Sequence, residues 1–265
     1  MASLSLHCLK HCHWFLICLI VLLLAPAQAS TLLFSHVGAV NPTTEGWTFS
    51  GTVQTGAITN DLGTGVDAWK VYEQGGSNAG TYNKTLTTGQ LSEALQIGWT
   101  LDATLRFVPP DPLVATSLGN NAWCTLLIDE GVTGKRDLYG LYFGNDLSGN
   151  TLVRLYATGA TYTVDSGYHD YSIRWDPTTQ LASFFIDGVL KASDYAGSTI
   201  DNTGTSRVYW GDNTTTAITP GRGAHYAYVG LSIGAAVVPE PSRLGLLLLA
   251  AAVGLFRRCR GSQRV

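Results

Sequence analysis

Between Ser30 and Val238 the chain has one cysteine, Cys124. No disulfide can form within that stretch, so its fold rests on a packed core, which a domain of this size can build. Histidine is nearly as scarce there: His36, His169 and His225 stand at no metal-ligand spacing, which argues against zinc. Charge is low, 13% over the whole chain, and in this stretch 10 Lys and Arg stand against 18 Asp and Glu, a net of −8. An acidic body is a poor partner for nucleic acid, whose phosphates demand a basic face. Glutamate is confined to Glu45, Glu73, Glu93 and Glu130, and no two acids stand two positions apart. No strand therefore carries alternate carboxylates on one face, and the adjacent pair Asp129 and Glu130 would point to opposite faces. A two-carboxylate glycosidase would have to assemble its acids from separate strands. Disorder is excluded by a hydrophobic content of 45% with a net charge of only −3.

Two long apolar runs lie outside this stretch. The first follows a head bearing His7, Lys10, His11 and His13, runs from Trp14 to Ala25, and ends in Ala27-Gln28-Ala29 before Ser30. Basic, apolar, then small-x-small is the order of a secretory signal peptide, with cleavage expected after Ala29. The second runs from Leu244 to Phe256 and is followed by Arg257, Arg258, Arg260 and Arg264. As a helix it would span about 20 Å, short of a hydrocarbon core of about 30 Å unless arginines snorkel and the bilayer thins. Its basic flank is expected to stay cytoplasmic, leaving the body outside. The expected organisation is a signal peptide over 1–29, a domain over 30–236 and a tail over 237–265 with a short transmembrane helix.

The body alternates apolar and polar residues with period two. Trp99, Leu101, Ala103, Leu105 and Phe107 interleave with Thr100, Asp102, Thr104 and Arg106, the pattern of a half-buried strand. Tyr171 to Trp175 repeats it, Asp176 to Thr179 turns, Leu181 to Ile186 returns, and Asp187-Gly188 closes a hairpin into Val189 to Lys191. Further strands are predicted at Gly46 to Ser50, Ala68 to Glu73, Trp123 to Asp129, Leu138 to Phe143, Leu152 to Ala157, Val208 to Gly211 and His225 to Ile233. The body shows no extended helical stripe; Leu91 to Leu95 suits one turn. The predicted class is all-β, an antiparallel β-sandwich of jelly-roll type with a C-terminal apolar helix beyond it.

The tail VPEPSRLGLLLLAAAVGLFRRCR, Val238 to Arg260, resembles a PEP-CTERM sorting signal: Pro239-Glu240-Pro241, an apolar segment, then an arginine cluster opened by Arg257 and Arg258. That resemblance implies recognition by an exosortase-type sorting protease in a Gram-negative bacterium and transient anchoring in the inner membrane. It also implies delivery to the cell surface or an extracellular matrix, often with exopolysaccharide and biofilm. An ordinary stop-transfer anchor is the competing reading. The body resembles the concanavalin A-like lectin/glucanase superfamily, in laminin-G-like (LamG) style, through Tyr168 to Asp176 (YHDYSIRWD) and Ala182 to Gly188 (ASFFIDG). That superfamily includes lectins, hydrolases, lyases and inert modules, so the resemblance implies a fold rather than a reaction.

Motifs for chemistry are thin. Gly230-Leu231-Ser232-Ile233-Gly234 fits Gly-x-Ser-x-Gly, but it ends a strand and no histidine follows His225, so a nucleophile elbow is not expected. Thr199 to Gly204 departs from the sialidase Asp-box, with its glycine misplaced and Trp210 too far on. Oxygen-rich loops at Asn145-Asp146, Asp201-Asn202 and Asp212-Asn213 suit Ca²⁺ or plain solvated turns. Six tryptophans and all 12 tyrosines lie in the body. Sugars stack on such rings, and Trp69, Trp123 and Tyr139 are the candidate carbohydrate-binding residues, although aromatics more often fill a core. The reading is an exported, non-enzymatic, lectin-like surface or matrix protein that contacts polysaccharide, without catalytic residues or an obligate cofactor. The alternative is a polysaccharide-active hydrolase or lyase with a dispersed carboxylate site.

Overall fold

The computed structural model describes residues 30–72, 79–111, 113, 122–128, 135–201, 204–212 and 222–234, within a unit spanning Ala29–Ala235. The expected signal peptide, the expected apolar tail helix and the residues expected to form a sorting signal, Pro239, Glu240, Pro241, Arg257 and Arg258, lie outside the described residues.

The strands run β1 (Thr31–Val37), β2 (Thr48–Gly51), β3 (Gln54–Asp61), β4 (Val66–Tyr72) and β5 (Gly80–Thr85), then helix α1 (Thr88–Ile97). There follow β6 (Trp99–Val108), β7 (Ala122–Ile128), β8 (Lys135–Asn145), β9 (Thr151–Leu155), β10 (Thr161–Val164) and β11 (His169–Asp176). The last are β12 (Leu181–Ile186), β13 (Val189–Tyr195), β14 (Ser198–Asp201), β15 (Arg207–Asp212) and β16 (Gly223–Ile233). They form two antiparallel sheets. The first has the order β13-β12-β11-β6-β16-β4-β3, with β1 also on β16; the second is β10-β9-β8-β7-β15-β5-β2, with β14 also on β8.

The expected antiparallel sandwich is present, and alternation builds it. Along β6, Trp99, Leu101, Ala103, Leu105 and Phe107 are buried in the core, where Cys124, Leu141, Phe143, Val208 and Trp210 of the second sheet join them. Trp99 and Trp175 stack with ring centroids 6.3 Å apart. Trp210 is the hub at the other end of the core: Tyr82 and His36 stack on it at 4.6 and 4.8 Å, and Trp47 meets it edge-on at 5.7 Å. Asp187 and Gly188 have φ of +51° and +73°, as the predicted tight hairpin turn requires.

Strand β16 organises the first sheet. One edge pairs with β6 throughout; the other pairs with β4 at Gly223 to Tyr226 and with β1 at Tyr228 to Ile233, changing partner at a bulge at Ala227. There Gly38 N–H donates to Ala227 O at 2.7 Å. The single turn expected at Leu91 to Leu95 is instead a ten-residue helix. A capping box starts it: Gln90 N–H donates to Thr87 Oγ1, and Thr87 N–H to Gln90 Oε1. Ala94 is buried, while Leu91, Leu95 and Ile97 pack partly against the core.

Candidate functional site

Inward positions are spent on the core, so among the described strands a site would come from the outward residues of each sheet. On the first sheet, Arg106 of β6 lies opposite His225 of β16, which lies opposite Lys70 of β4. This row of basic side chains meets one carboxylate from the end of β3. Asp61 accepts from Arg106 Nε and Nη2, from Tyr168 Oη at 2.9 Å, and pairs with His225 Nδ1 at 2.7 Å. Burial opposes ionisation of Asp61, but hydrogen bonds from Arg106, His225 and Tyr168 outweigh it and hold its carboxyl well below the usual carboxylate range. Burial lowers the His225 pKa against the pull of Asp61, so the imidazole is neutral at neutral pH. With Nδ1 held by Asp61, Nε2 is the nitrogen left with the lone pair. Tyr72 lies beside that ring at 6.4 Å between centroids. Among the described residues no thiol, and no serine or threonine hydroxyl, is hydrogen-bonded to His225.

The rest of that face is also internally paired. Thr104 Oγ1 donates to Asp170 Oδ1 at 2.6 Å, and Arg174 Nε to Ser172 Oγ at 3.1 Å. Burial raises the Asp102 carboxyl, opposed by a hydrogen bond with Ser172 and the charge of Arg174. At the β12–β13 hairpin, His169 bridges two carboxylates, Nδ1 to Asp187 at 2.8 Å and Nε2 to Asp165 at 3.1 Å. Burial disfavours charge on His169, yet Asp187 and then Asp165 outweigh it and raise its pKa. Both ring nitrogens are engaged, so the group clamps a turn rather than offering a base.

The second sheet's outward side is different. Tyr139, Leu141 and Phe143 of β8 belong to the core, whereas Leu138 and Tyr142 are buried outside it. Arg154 of β9, opposite Tyr142, holds its guanidinium 5.8 Å from the Tyr142 ring centroid, and Tyr156 meets that ring edge-on at 5.3 Å. On β15, the Arg207 guanidinium lies 4.5 Å from the Tyr209 ring centroid. Arg136 is 2% exposed and donates from Nη1 to Thr205 O at 3.0 Å. Its Nε and Nη2, together with Nε of Arg154 and of Arg207, are buried without a hydrogen-bond partner. Among the described residues none of these three arginines joins an ion pair.

The predicted sugar-stacking residues fare differently. Tyr139 is a correction: β8 turns it inward, 2% exposed, packed edge-on against Trp99 and Tyr195. Trp69 is a second correction, 8% exposed in the core with its indole N–H donated to Tyr82 Oη. Neither offers a ring face to a ligand. The backbone of Trp123 lies opposite Tyr142 and Gly211, while its side chain is outside the described residues. The outward set Arg136, Tyr142, Arg154, Tyr156, Arg207 and Tyr209 is not among the expected site residues, although the alternation of Val153, Arg154 and Leu155 signals an outward arginine.

Ser232 of the Gly-x-Ser-x-Gly match sits within β16, without the strand-to-helix turn an elbow needs. At Asn145-Asp146 the Asp146 carboxylate is committed to its own turn, accepting from Ser148 N–H, Asn150 N–H and Asn150 Nδ2. Asn202 and Asn213 of the other two oxygen-rich loops lie outside the described residues, and no group of three or more metal-ligating side chains occurs among the described ones.

The fold and its two faces define an antiparallel β-sandwich with a self-paired polar face and an arginine–tyrosine face. No family model matches the chain, and no curated protein matches it. Among solved structures, the receptor-binding domain of botulinum neurotoxin C/D mosaic serotype is similar at 10% identity and a TM-score of 0.44, covering 83% of this chain and 51% of that one. The match thus spans about half of that neighbour. The carbohydrate recognition domain of Emp46p in its potassium-bound form is similar at 12% identity and a TM-score of 0.45, over 77% of this chain and 98% of that one. Basic winged bean lectin with Tn-antigen is similar at 8% identity and a TM-score of 0.45 over the same shares. At such identities and scores no residue role carries over to this chain.

Proposed function

We propose that this protein is an exported, non-enzymatic, lectin-like surface or matrix protein that contacts polysaccharide. One observation carries the contact: the second sheet turns outward the half-buried rings of Tyr156 and Tyr209, standing with Arg154 and Arg207, which join no ion pair among the described residues. Ring faces and hydrogen-bonding heads together are the chemistry that grips sugars. Export through an exosortase route rests on the sequence alone, on Pro239-Glu240-Pro241, the apolar run and Arg257-Arg258. Mass spectrometry of the mature protein tests it: a C-terminus upstream of Arg257 is the expected result, and a mature chain retaining Arg257 and Arg258 would replace sorting with a plain anchor.

A second reading, a polysaccharide hydrolase or lyase, is favoured by the Asp61–His225 pair, a neutral imidazole whose ring lies beside that of Tyr72. The two readings separate in one experiment. The protein is incubated with a panel of polysaccharides, and retention is measured beside release of reducing and unsaturated sugar ends. Retention without release supports a binding protein. Release that His225→Gln abolishes would make the first sheet an active site.

A further inference from the structure

We infer that the outward side of the second sheet is a binding site for an anionic polysaccharide, with Arg136, Arg154 and Arg207 taking its charged groups as uronate carboxylates or sulfate esters. This rests on the polysaccharide reading above and adds the class of polymer. The arginines elsewhere set the contrast. Arg106 is spent on Asp61, and the charge of Arg174 acts on Asp102, so these two arginines of the first sheet each have an acid. On the second sheet three guanidinium groups join no ion pair among the described residues, and four of their N–H-bearing nitrogens are buried without an acceptor. Buried unsatisfied donors are rare in native folds, and a group left so calls for an absent partner. Two oxygens of a carboxylate or of a sulfate ester satisfy the guanidinium fork in a bidentate manner.

The layout suits a polymer rather than a small ion. Arg154 pairs across β8 at Tyr142, whereas Arg207 is aligned through β7 with Leu138, four residues along β8 and three strands away. At the usual strand spacings that is a diagonal of about 20 Å, enough for several sugar units. Tyr156 and Tyr209, both half-buried, stand beside the guanidinium groups as platforms for sugar rings.

The test measures binding of the full chain in detergent to surfaces coated with polygalacturonate, heparin, neutral dextran or a single-stranded oligonucleotide. Binding to polygalacturonate or heparin well above dextran is expected, weakening with salt, and the preferred coat tells carboxylate from sulfate. Arg154→Gln and Arg207→Gln, both half-buried, are each expected to weaken that binding about tenfold, and Arg174→Gln on the other sheet to leave it unchanged. Arg136→Gln probes the buried position, and the other two variants decide the matter if it does not fold. Equal binding to dextran, or arginine variants without effect, overturns this inference and leaves polysaccharide contact standing. Equal binding to the oligonucleotide overturns the sugar assignment. Binding to no polysaccharide overturns both.

Discussion

Asp61 and His225 stand 164 positions apart in the chain and are joined by a 2.7 Å hydrogen bond between Asp61 Oδ2 and His225 Nδ1. That carboxylate also holds Arg106 and Tyr168, so it ties β3, β6, β16 and the segment before β11 into one knot. Asp61→Asn keeps the shape and removes the charge, leaving Arg106 without a counter-ion. Loss of about 3 kcal/mol is expected, read as a lower urea midpoint.

The same knot sets the acid limb of stability. Asp61 titrates below its unfolded value, so its contribution is present above the ordinary carboxylate range and is lost as pH falls through its depressed folded pKa. His225, also depressed, adds a loss on the acid side as pH falls below the ordinary histidine value of 6.5. Urea midpoints from pH 7 down to 3 should fall steadily for the native chain, and less steeply for Asp61→Asn.

His169 works in the opposite sense. Its folded pKa is raised, so its bridge to Asp187 and Asp165 contributes fully below 6.5 and fades as pH rises through the higher folded value. His169→Gln should therefore be destabilising at pH 5.5 and close to neutral at pH 9, as thermal melts would read.

Gly223 tests the partner change of β16. A Cβ there would lie 2.2 Å from Val71 O, across the β16–β4 pairing. Gly223→Ala must push the strands apart and is expected to cost about 2–3 kcal/mol. In contrast, Gly63→Ala meets nothing within 4 Å, but its φ of +69° still penalises a side chain, by about 1 kcal/mol.

Trp210 anchors the core aromatics at 0% exposure. Trp210→Ala removes the ring on which Tyr82 and His36 stack, and a loss of about 3–5 kcal/mol with a collapsed near-ultraviolet circular dichroism signal is expected.

Much of the sandwich could be read from alternation where one face is core and the other polar. The run from Trp99 to Phe107 and the Asp187-Gly188 hairpin are such places. Strands β1, β3, β5, β10 and β14 are not among the expected strands; in the last four threonine, glycine and asparagine are frequent and the contrast between faces is weak. The helix was underestimated because its signal lies in the Thr87–Gln90 cap rather than in an apolar stripe. Tyr139 was chosen for a sugar face by residue type, yet the register of β8 turns it inward and Tyr142 outward. The Asp61 knot left no local trace, since its partners are far apart in the chain and only sheet pairing brings them together.

Isotope-resolved NMR of the arginine Nε–H groups, in the full chain titrated with the anionic polysaccharide it retains, is the most direct test. The account predicts that the Arg136, Arg154 and Arg207 signals move, while those of Arg106 and Arg174 stay in place. Movement of Arg106 beside Asp61 and His225, with the second sheet silent, would contradict it and place the binding face on the first sheet.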